Sequence, residues 1–210
     1  MNQKKKFLIN FFQFLEDNDF DFCVPRGFKD IPENLTITND LDIIIKNFIK
    51  SKILKYLKSL SFDCRIDKFE YLYGAKPHYH FINKELDLHL DIVDGLYFCS
   101  LNDFKTFVPL DDELQISFLS RKRKIDEIWL YQPSYEDELL HLICHCLFDK
   151  RKFKKKHIER ILEIKDKIRI DIFRNMLNIC FKKADKKIFK LVEKNEFENF
   201  YEKFVGLEDY

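Results

Sequence analysis

Two aspartates one residue apart open a short apolar segment in the first quarter of the chain. Asp40 and Asp42 belong to the sequence Asp-Leu-Asp, which continues as three isoleucines. Because side chains alternate between the faces of a strand, both carboxylates point the same way, with Cα atoms roughly 6.5–7 Å apart. Mg²⁺ commonly takes one or two protein carboxylates and completes its shell with water and phosphate oxygens. The pair is therefore a candidate magnesium half-site for phosphate chemistry.

The apolar run after Asp42 indicates a strand that is buried on both faces. Two adjacent carboxylates at the start of such a strand repel each other, and a cation offsets that repulsion. A complete site also needs a phosphate-binding turn and a third acid. A strand predicted at 20–24 ends in Arg26 and Gly27, where an arginine can grip phosphate in two places. About 45 residues after Asp42, Asp87 lies in a further apolar segment.

The segment 78–93 reads as a β-hairpin whose second arm alternates strictly between apolar and polar residues. Its polar face carries Asp87, His89 and Asp91, so either aspartate can supply the third acid. His80, in the first arm, is expected near Asp87 or His89, because a slip of one residue would turn the whole set over. His80, His89 and Asp91 are candidate site-lining residues, with a hydrogen-bonded strand histidine as the alternative for His89.

The composition indicates a folded chain with an α+β pattern. The chain has 210 residues, of which 46% are apolar, and the first 120 residues alternate between predicted helices and strands. The sequence after Ser120 is basic at first and then mostly helical. We therefore expect a core at 1–120 and a helical C-terminal region at 121–210 that packs on it. The predicted helices span 4–17, 49–60, 136–148, 155–168, 170–181 and 186–194, and the predicted strands span 20–24, 41–46, 62–69, 78–82 and 86–93.

Charge and targeting signals narrow the expected partners. With 37 basic and 36 acidic residues, the chain has no global field that points to nucleic acid or to a membrane surface. No segment approaches the ~20 apolar residues of a membrane span. The lysines at 4–6 precede an apolar run, but polar residues interrupt it and no cleavage site follows. With six scattered cysteines, expected to be reduced, these features predict a cytoplasmic protein.

A pair of histidines and two basic segments could each have a binding role, but each also has a purely structural interpretation. His141 and His145 have the spacing of a zinc pair on a helix, but no glutamate lies between them as a zinc protease requires. We therefore interpret them as packing residues at the junction of sheet and helices. The basic segments 121–124 and 150–156 are interpreted as solvated surface, with contact to nucleic acid or an anionic sugar as the alternative for the second.

The order of these features resembles the DNA polymerase β-like nucleotidyltransferase superfamily. Its members have a strand that ends in a glycine turn, a carboxylate-x-carboxylate on the next strand and a third carboxylate on a later strand. Here these positions look like Arg26-Gly27, Asp40-Leu41-Asp42 and Asp87. The chain is more specifically similar to uncharacterised bacterial nucleotidyltransferase-like proteins, which also carry Asp-Leu-His on the later strand and a helix of the pattern found at 136–145. The likeness covers roughly residues 20–150.

The resemblance implies a nucleotidyltransferase-like α+β fold, with a mixed sheet flanked by helices. It implies transfer of a nucleoside monophosphate from a nucleoside triphosphate such as ATP to a hydroxyl group, with Mg²⁺ or Mn²⁺ as cofactor. Asp40 and Asp42 would bind the ion that bridges the phosphates. Asp87 would bind a second ion and help to activate the acceptor, and the Asp-Leu-His match favours it over Asp91. Arg26 and Gly27 would hold phosphate, where the superfamily usually has Gly-Ser.

The acceptor stays open at this point. A small molecule, a glycan and a polymer all offer hydroxyl groups. Transfer of a phosphorylated head group onto a glycan is an alternative reaction on a related fold. A toxin that modifies tRNA or a protein is a second alternative. A catalytically silent binding protein of the same fold is a third, against which the retention of all three acids argues.

Overall fold

The structure is a computed structural model that describes residues 2–28, 31–46, 50–67, 70–71, 76–100, 106–125 and 130–197. The helices are α1 Gln3–Asp17, α2 Lys50–Ser59, α3 Asp112–Ser120, α4 Tyr135–Cys144, α5 Lys155–Ile164, α6 Ile170–Phe181 and α7 Asp185–Lys194. The strands are β1 Asp21–Cys23, β2 Leu41–Lys46, β3 Asp63–Ile66, β4 Glu70–Tyr71, β5 Tyr79–Asn83, β6 Leu88–Val93, β7 Tyr97–Cys99, β8 Thr106–Pro109, β9 Arg123–Ile125 and β10 Leu130–Gln132.

The central sheet has five strands in the order β1-β2-β6-β5-β3. Strands β2 and β6 are parallel, and the other neighbours in this sheet are antiparallel. A smaller sheet has the order β4-β8-β7, and β9 pairs with β10 in a separate hairpin. With helices beside the sheet and a helical C-terminal region, this arrangement confirms the predicted mixed α+β class.

Strand β2 is buried on both faces, as its run of isoleucines predicts. Ile43 and Ile45 point into the core beneath α1, where Phe11 and Phe12 are fully buried. Ile44 points to the other face and packs in a second cluster with Phe118. The apolar residues of β2 thus fix the strand between two layers, and the aspartates at its start are held at the edge of a rigid element.

The first turn of α4 ties the helical region together. Ser134 caps the helix by accepting a hydrogen bond from the backbone of Asp137, and three consecutive acids follow where the helix dipole favours negative charge. All three are buried, and each is paired with an arginine from another segment. The pairs are Glu136 with Arg169 before α6, Asp137 with Arg121 after α3, and Glu138 with Arg160 in α5.

Some element boundaries differ from those predicted. Helix α4 ends at Cys144 and continues as a π-helical turn, His145–Asp149. Strand β6 begins at Leu88, and the hairpin turn before it spans 84–87. The alternation of apolar residues did not reveal α3, β7 or β8. The predicted strand at 62–69 is described to Asp67, and Ile49, predicted to begin a helix, lies outside the described residues.

Within the parts of the chain that the structure describes, none of the helices combines the length and the apolar character needed to cross a bilayer.

Candidate active site

Three carboxylates converge at one end of the parallel pair β2 and β6. Asp42 and Asp91 are direct partners in the register of these strands, so their side chains lie side by side on one face. Asp40 lies two residues before Asp42 and shares that face. One oxygen from each of the three lies within 4.8 Å of the others. The Asp40 and Asp42 pair inferred from spacing therefore has a further carboxylate, that of Asp91, beside it.

Asp87, which the resemblance favours as the third acid, lies elsewhere. It occupies the turn before β6 with φ at 46°, and its side chain is 56% exposed. Its Oδ1 accepts a hydrogen bond from the backbone of Ile37 at 3.1 Å. Because β6 begins only after Asp87, the residue that stands beside Asp42 is Asp91, the predicted competitor, four positions further along. The structure therefore brings Asp40, Asp42 and Asp91 together and places Asp87 outside this group.

The turn after β1 brings Arg26 to the same place. Strand β1 is antiparallel to β2, with Cys23 opposite Ile44, so the chain that leaves β1 returns toward Asp42. Arg26 donates from Nε to Oδ2 of Asp42 at 2.8 Å. Its Nη1 is buried and has no hydrogen-bond partner among the described residues. Gly27 has φ at 70°, a left-handed conformation that favours glycine over residues with a Cβ atom.

The electrostatics of the three acids suit a divalent cation. The Asp40 side chain is exposed, but partial desolvation of its carboxylate, followed by repulsion from Asp42 and Asp91, raises the pKa of Asp40. Oδ1 of Asp91 is buried without a hydrogen-bond partner in the described part of the chain. Carboxylate oxygens are the ligands that Mg²⁺ and Mn²⁺ prefer, so this donor set fits either ion.

Histidines of the β5–β6 hairpin support the acidic group. His78 hydrogen-bonds through Nδ1 with Oδ2 of Asp91 at 3.2 Å. His80 lies 3.0 Å from His89, as expected from the hairpin register, and 2.8 Å from Asp67. The hydrogen bond with Asp67 raises the pKa of His80, against the opposing effect of its partial burial. His78 was missed from the sequence, although its two-residue spacing from His80 puts both on one face.

A basic cavity opens beside the pair of aspartates. Its volume is about 500 Å³, within the roughly 300–1,000 Å³ typical of ligand pockets. Asp40, Asp42, Arg26 and Gly27 line one side of it. The facing side comes from the helical region and includes Lys150, Lys154, Lys156 and Arg160. The basic segment 150–156 therefore faces the acids rather than only bulk solvent.

A second, aromatic cavity of about 220 Å³ meets the first at Arg26, Asp42, His145 and Lys150, which line both. Asp91 lines this cavity. Its other lining residues include His78, which precedes β5, and His141 of helix α4. Three aromatic side chains also line it, those of Tyr97, Phe98 and Phe107.

His141 and His145 lie on the helical wall of these cavities as neutral imidazoles. Burial, with the nearby Arg26 charge, lowers the pKa of His141 well below its usual value and that of His145 to about 2. His145 hydrogen-bonds with Asp149 at 2.8 Å across the π-helical turn. The described residues place neither histidine in a group able to hold a metal ion.

Comparisons with known proteins do not identify a function for this chain, so its function has to be argued from the geometry of the site. A scan against models of protein families finds no match, and a search of curated proteins finds none. Among solved structures, the chain is similar to the antibiotic-resistance factor ANT(2'')-Ia, known from a solution structure. The TM-score is 0.49 and the sequence identity is 9%, over 94% of this chain and 100% of that chain. A likeness of this size carries no functional argument.

Proposed function

We propose that this protein is a Mg²⁺-dependent nucleotidyltransferase, which moves a nucleoside monophosphate from a nucleoside triphosphate to a hydroxyl group. The observation that carries the proposal is the convergence of Asp40, Asp42 and Asp91 at the edge of a cavity with a basic facing wall. Acids on one side bind a divalent cation, and cations on the other bind phosphate, so the cavity matches both parts of a magnesium polyphosphate.

Each residue has a distinct role in this proposal. Asp40 and Asp42 hold the cation, and Arg26 directs its buried Nη1 to a phosphate oxygen. Mg²⁺, when bound, neutralises phosphate charge and makes the α-phosphorus easier to attack. Mn²⁺ fits the same ligands. Asp91 takes the third-acid role that the resemblance gave to Asp87, because it is the acid beside Asp42.

The reaction exchanges one phosphorus–oxygen bond for another. The acceptor hydroxyl oxygen forms a bond to the α-phosphorus, and the bond from that phosphorus to the oxygen bridging toward the β-phosphorus breaks. Pyrophosphate leaves with that bridging oxygen and its electron pair. The hydroxyl proton passes to the Asp91 carboxylate and then to water.

The charge of the basic cavity favours a triphosphate over a phosphorylated head group. Arg160 is already paired with Glu138, at 2.6 and 2.8 Å. Lys150, Lys154 and Lys156 form no ion pair within the described ranges. Three unpaired lysines exceed what one phosphodiester charge requires and suit the several charges of a triphosphate.

Calorimetry with Mg²⁺ and each of the four common nucleoside triphosphates tests the first part of the proposal. The wild type should bind at least one of them, and the double variant Asp40→Asn/Asp42→Asn should not. Asp63→Asn, which changes an exposed aspartate on the far edge strand β3, is the matched control and should bind normally. Absence of binding to all four nucleotides, or equal binding by the double variant, would contradict the proposal.

Labelled substrates test the transferred group. Wild-type protein, incubated with Mg²⁺ and a cell extract, should move label from the α position of the triphosphate to an acceptor. Label in the γ position should remain with pyrophosphate. Transfer of the γ label would show phosphoryl transfer instead and would overturn the assignment as a nucleotidyltransferase.

A further inference from the structure

The aromatic cavity lies where the acceptor of the proposed reaction has to enter. In-line displacement requires the attacking oxygen and the leaving group on opposite sides of the phosphorus. The basic cavity provides the cationic surroundings for the leaving pyrophosphate. The aromatic cavity meets it at Asp42, and Asp91, the proposed proton acceptor, lines this second cavity.

Buried polar atoms around the aromatic cavity call for a ligand. His141 is 9% exposed, and neither of its ring nitrogens has a hydrogen-bond partner in the described segments. Oδ1 of Asp91 and Nη1 of Arg26 are also buried without a hydrogen-bond partner among the described residues. Desolvated groups of this kind destabilise a protein, so a native structure that keeps several of them around one cavity indicates a bound partner.

The lining identifies the chemistry of that partner. Neutral His141 offers one donor and one acceptor, Arg26 offers a donor and Asp91 an acceptor. Groups that both donate and accept, as hydroxyls do, match this mixture. Phe98 lies 5.5 Å from the His141 ring, between ring centroids, and it lines the cavity together with Phe107. Such rings pack against the carbon–hydrogen face of a saturated ring.

The size and the charge of the aromatic cavity disfavour large acceptors and anionic acceptors. The volume of about 220 Å³ is below the roughly 300–1,000 Å³ of pockets for drug-sized ligands, so it holds a group of monosaccharide size. Three carboxylates, those of Asp42, Asp91 and Asp149, line it against two cations, Arg26 and Lys150. In the basic cavity five basic side chains face three acids, so the aromatic cavity is the more acidic of the two. An anionic acceptor would therefore be repelled where it has to react.

We propose that the aromatic cavity binds the acceptor and that this acceptor is a small, neutral, polyhydroxylated ring recognised by His141. The proposal rests on the proposed function for the reaction, but the binding of such a ring can be measured separately. It makes His141 a specificity residue in the acceptor site rather than only a packing residue.

Ligand-observed NMR with D-glucose, D-galactose, D-ribose and myo-inositol tests the proposal. The measurement is made with and without Mg²⁺ and a nonhydrolysable ATP analogue. At least one ring should bind the wild type, and His141→Phe should weaken that binding about tenfold or more, as expected for lost buried hydrogen bonds. His141→Gln keeps a donor and an acceptor and should bind within about threefold of wild type. Binding of none of the four, or equal binding by His141→Phe, would overturn the proposal.

Two controls separate this result from the proposed function. Nucleotide affinity, measured by calorimetry, should be the same in His141→Phe as in wild type. If the wild type binds no nucleotide, the proposed function fails. If the wild type binds nucleotide but none of the four rings, the acceptor proposal alone is refuted. Thermal unfolding gives an independent readout: His141→Phe should melt higher, because it removes desolvated nitrogens. A lower melting temperature would show that the imidazole is held by structural partners.

Discussion

Asp40→Asn should stabilise the metal-free protein and abolish its response to Mg²⁺. The substitution removes one charge from a group of three carboxylates and nearly preserves the side-chain shape. At a separation of 4.8 Å, two unit charges repel by ~3.5 kcal/mol at an effective dielectric constant of 20 and by ~0.9 kcal/mol in water. Because Asp40 is exposed, the lower value applies to each of its two pairs, with Asp42 and Asp91. We expect a gain of about 1–2 kcal/mol.

Thermal denaturation followed by circular dichroism measures this gain. In EDTA at neutral pH and low ionic strength, Asp40→Asn should melt ~2–6 °C above wild type, given the usual shift per kcal/mol for a chain of this size. Adding Mg²⁺ to a hundredfold excess over its dissociation constant should stabilise the wild type by ~2.7 kcal/mol and leave the variant unchanged. Asp63→Asn should respond to Mg²⁺ as the wild type does.

The pH dependence of the difference in melting temperature between Asp40→Asn and wild type tests whether charge repulsion causes that difference. The folded-state pKa of Asp40 is raised above the ordinary value of 3.8, so the ionised carboxylate opposes folding. This penalty is complete above the folded-state pKa and disappears as the pH falls below 3.8. The difference between Asp40→Asn and wild type should therefore shrink as the pH approaches 4. A variant that melts below wild type in EDTA, or that keeps the Mg²⁺ response, would refute the three-carboxylate site.

Four further substitutions test the site and its support. Asp91→Asn should lower transfer of the α label about 100-fold or more, while Asp87→Asn should lower it less than about tenfold; the reverse order would restore Asp87 as the third acid. Arg26→Lys should raise the KM for the triphosphate about tenfold in steady-state assays, because an ammonium group cannot bond Asp42 and reach into the cavity in two directions; an unchanged KM would remove Arg26 from phosphate binding. Arg121→Met should lower the free energy of unfolding in urea by ~3 kcal/mol, because it leaves the buried Asp137 carboxylate without its arginine; a loss below about 1 kcal/mol would contradict the buried pair.

The local parts of the site follow from the sequence. Asp40 and Asp42 share a face because strands have a two-residue period, and the apolar run after them places the strand between two layers. Arg26 and Gly27 follow from a strand that stops at a turn. The period-2 pattern also puts Asp87, His89 and Asp91 on one side, but it cannot choose among them.

That choice depends on contacts that no local pattern contains. Asn83 accepts a hydrogen bond from the backbone of Leu86 at 2.8 Å and so helps to fix a turn that still includes Asp87. The parallel register of β2 and β6 then sets Asp91 beside Asp42, across 49 positions of sequence. The strand boundary and the register are both tertiary outcomes, so the Asp-Leu-His motif alone cannot identify the residue that lies beside Asp42.

The sequence could not predict which residues line the two cavities, because this also depends on tertiary contacts. The segment 150–156 and His141 come from the helical region, about 100 residues after the aspartates. The acids of the first turn of α4 lie where the helix dipole favours negative charge. Their arginine partners come from three other segments, and these pairs help to position α4 against the sheet.

Arg26 and Asp42, which form an ion pair, line both cavities, as His145 and Lys150 do. A phosphate that draws the guanidinium toward the basic side also changes the charge and donor geometry on the aromatic side. If occupancy of one cavity changes affinity in the other by some factor, the reverse effect has the same factor. A substitution of Arg26 or Asp42 is therefore expected to change affinity in both cavities, whereas a substitution that touches only one cavity is not.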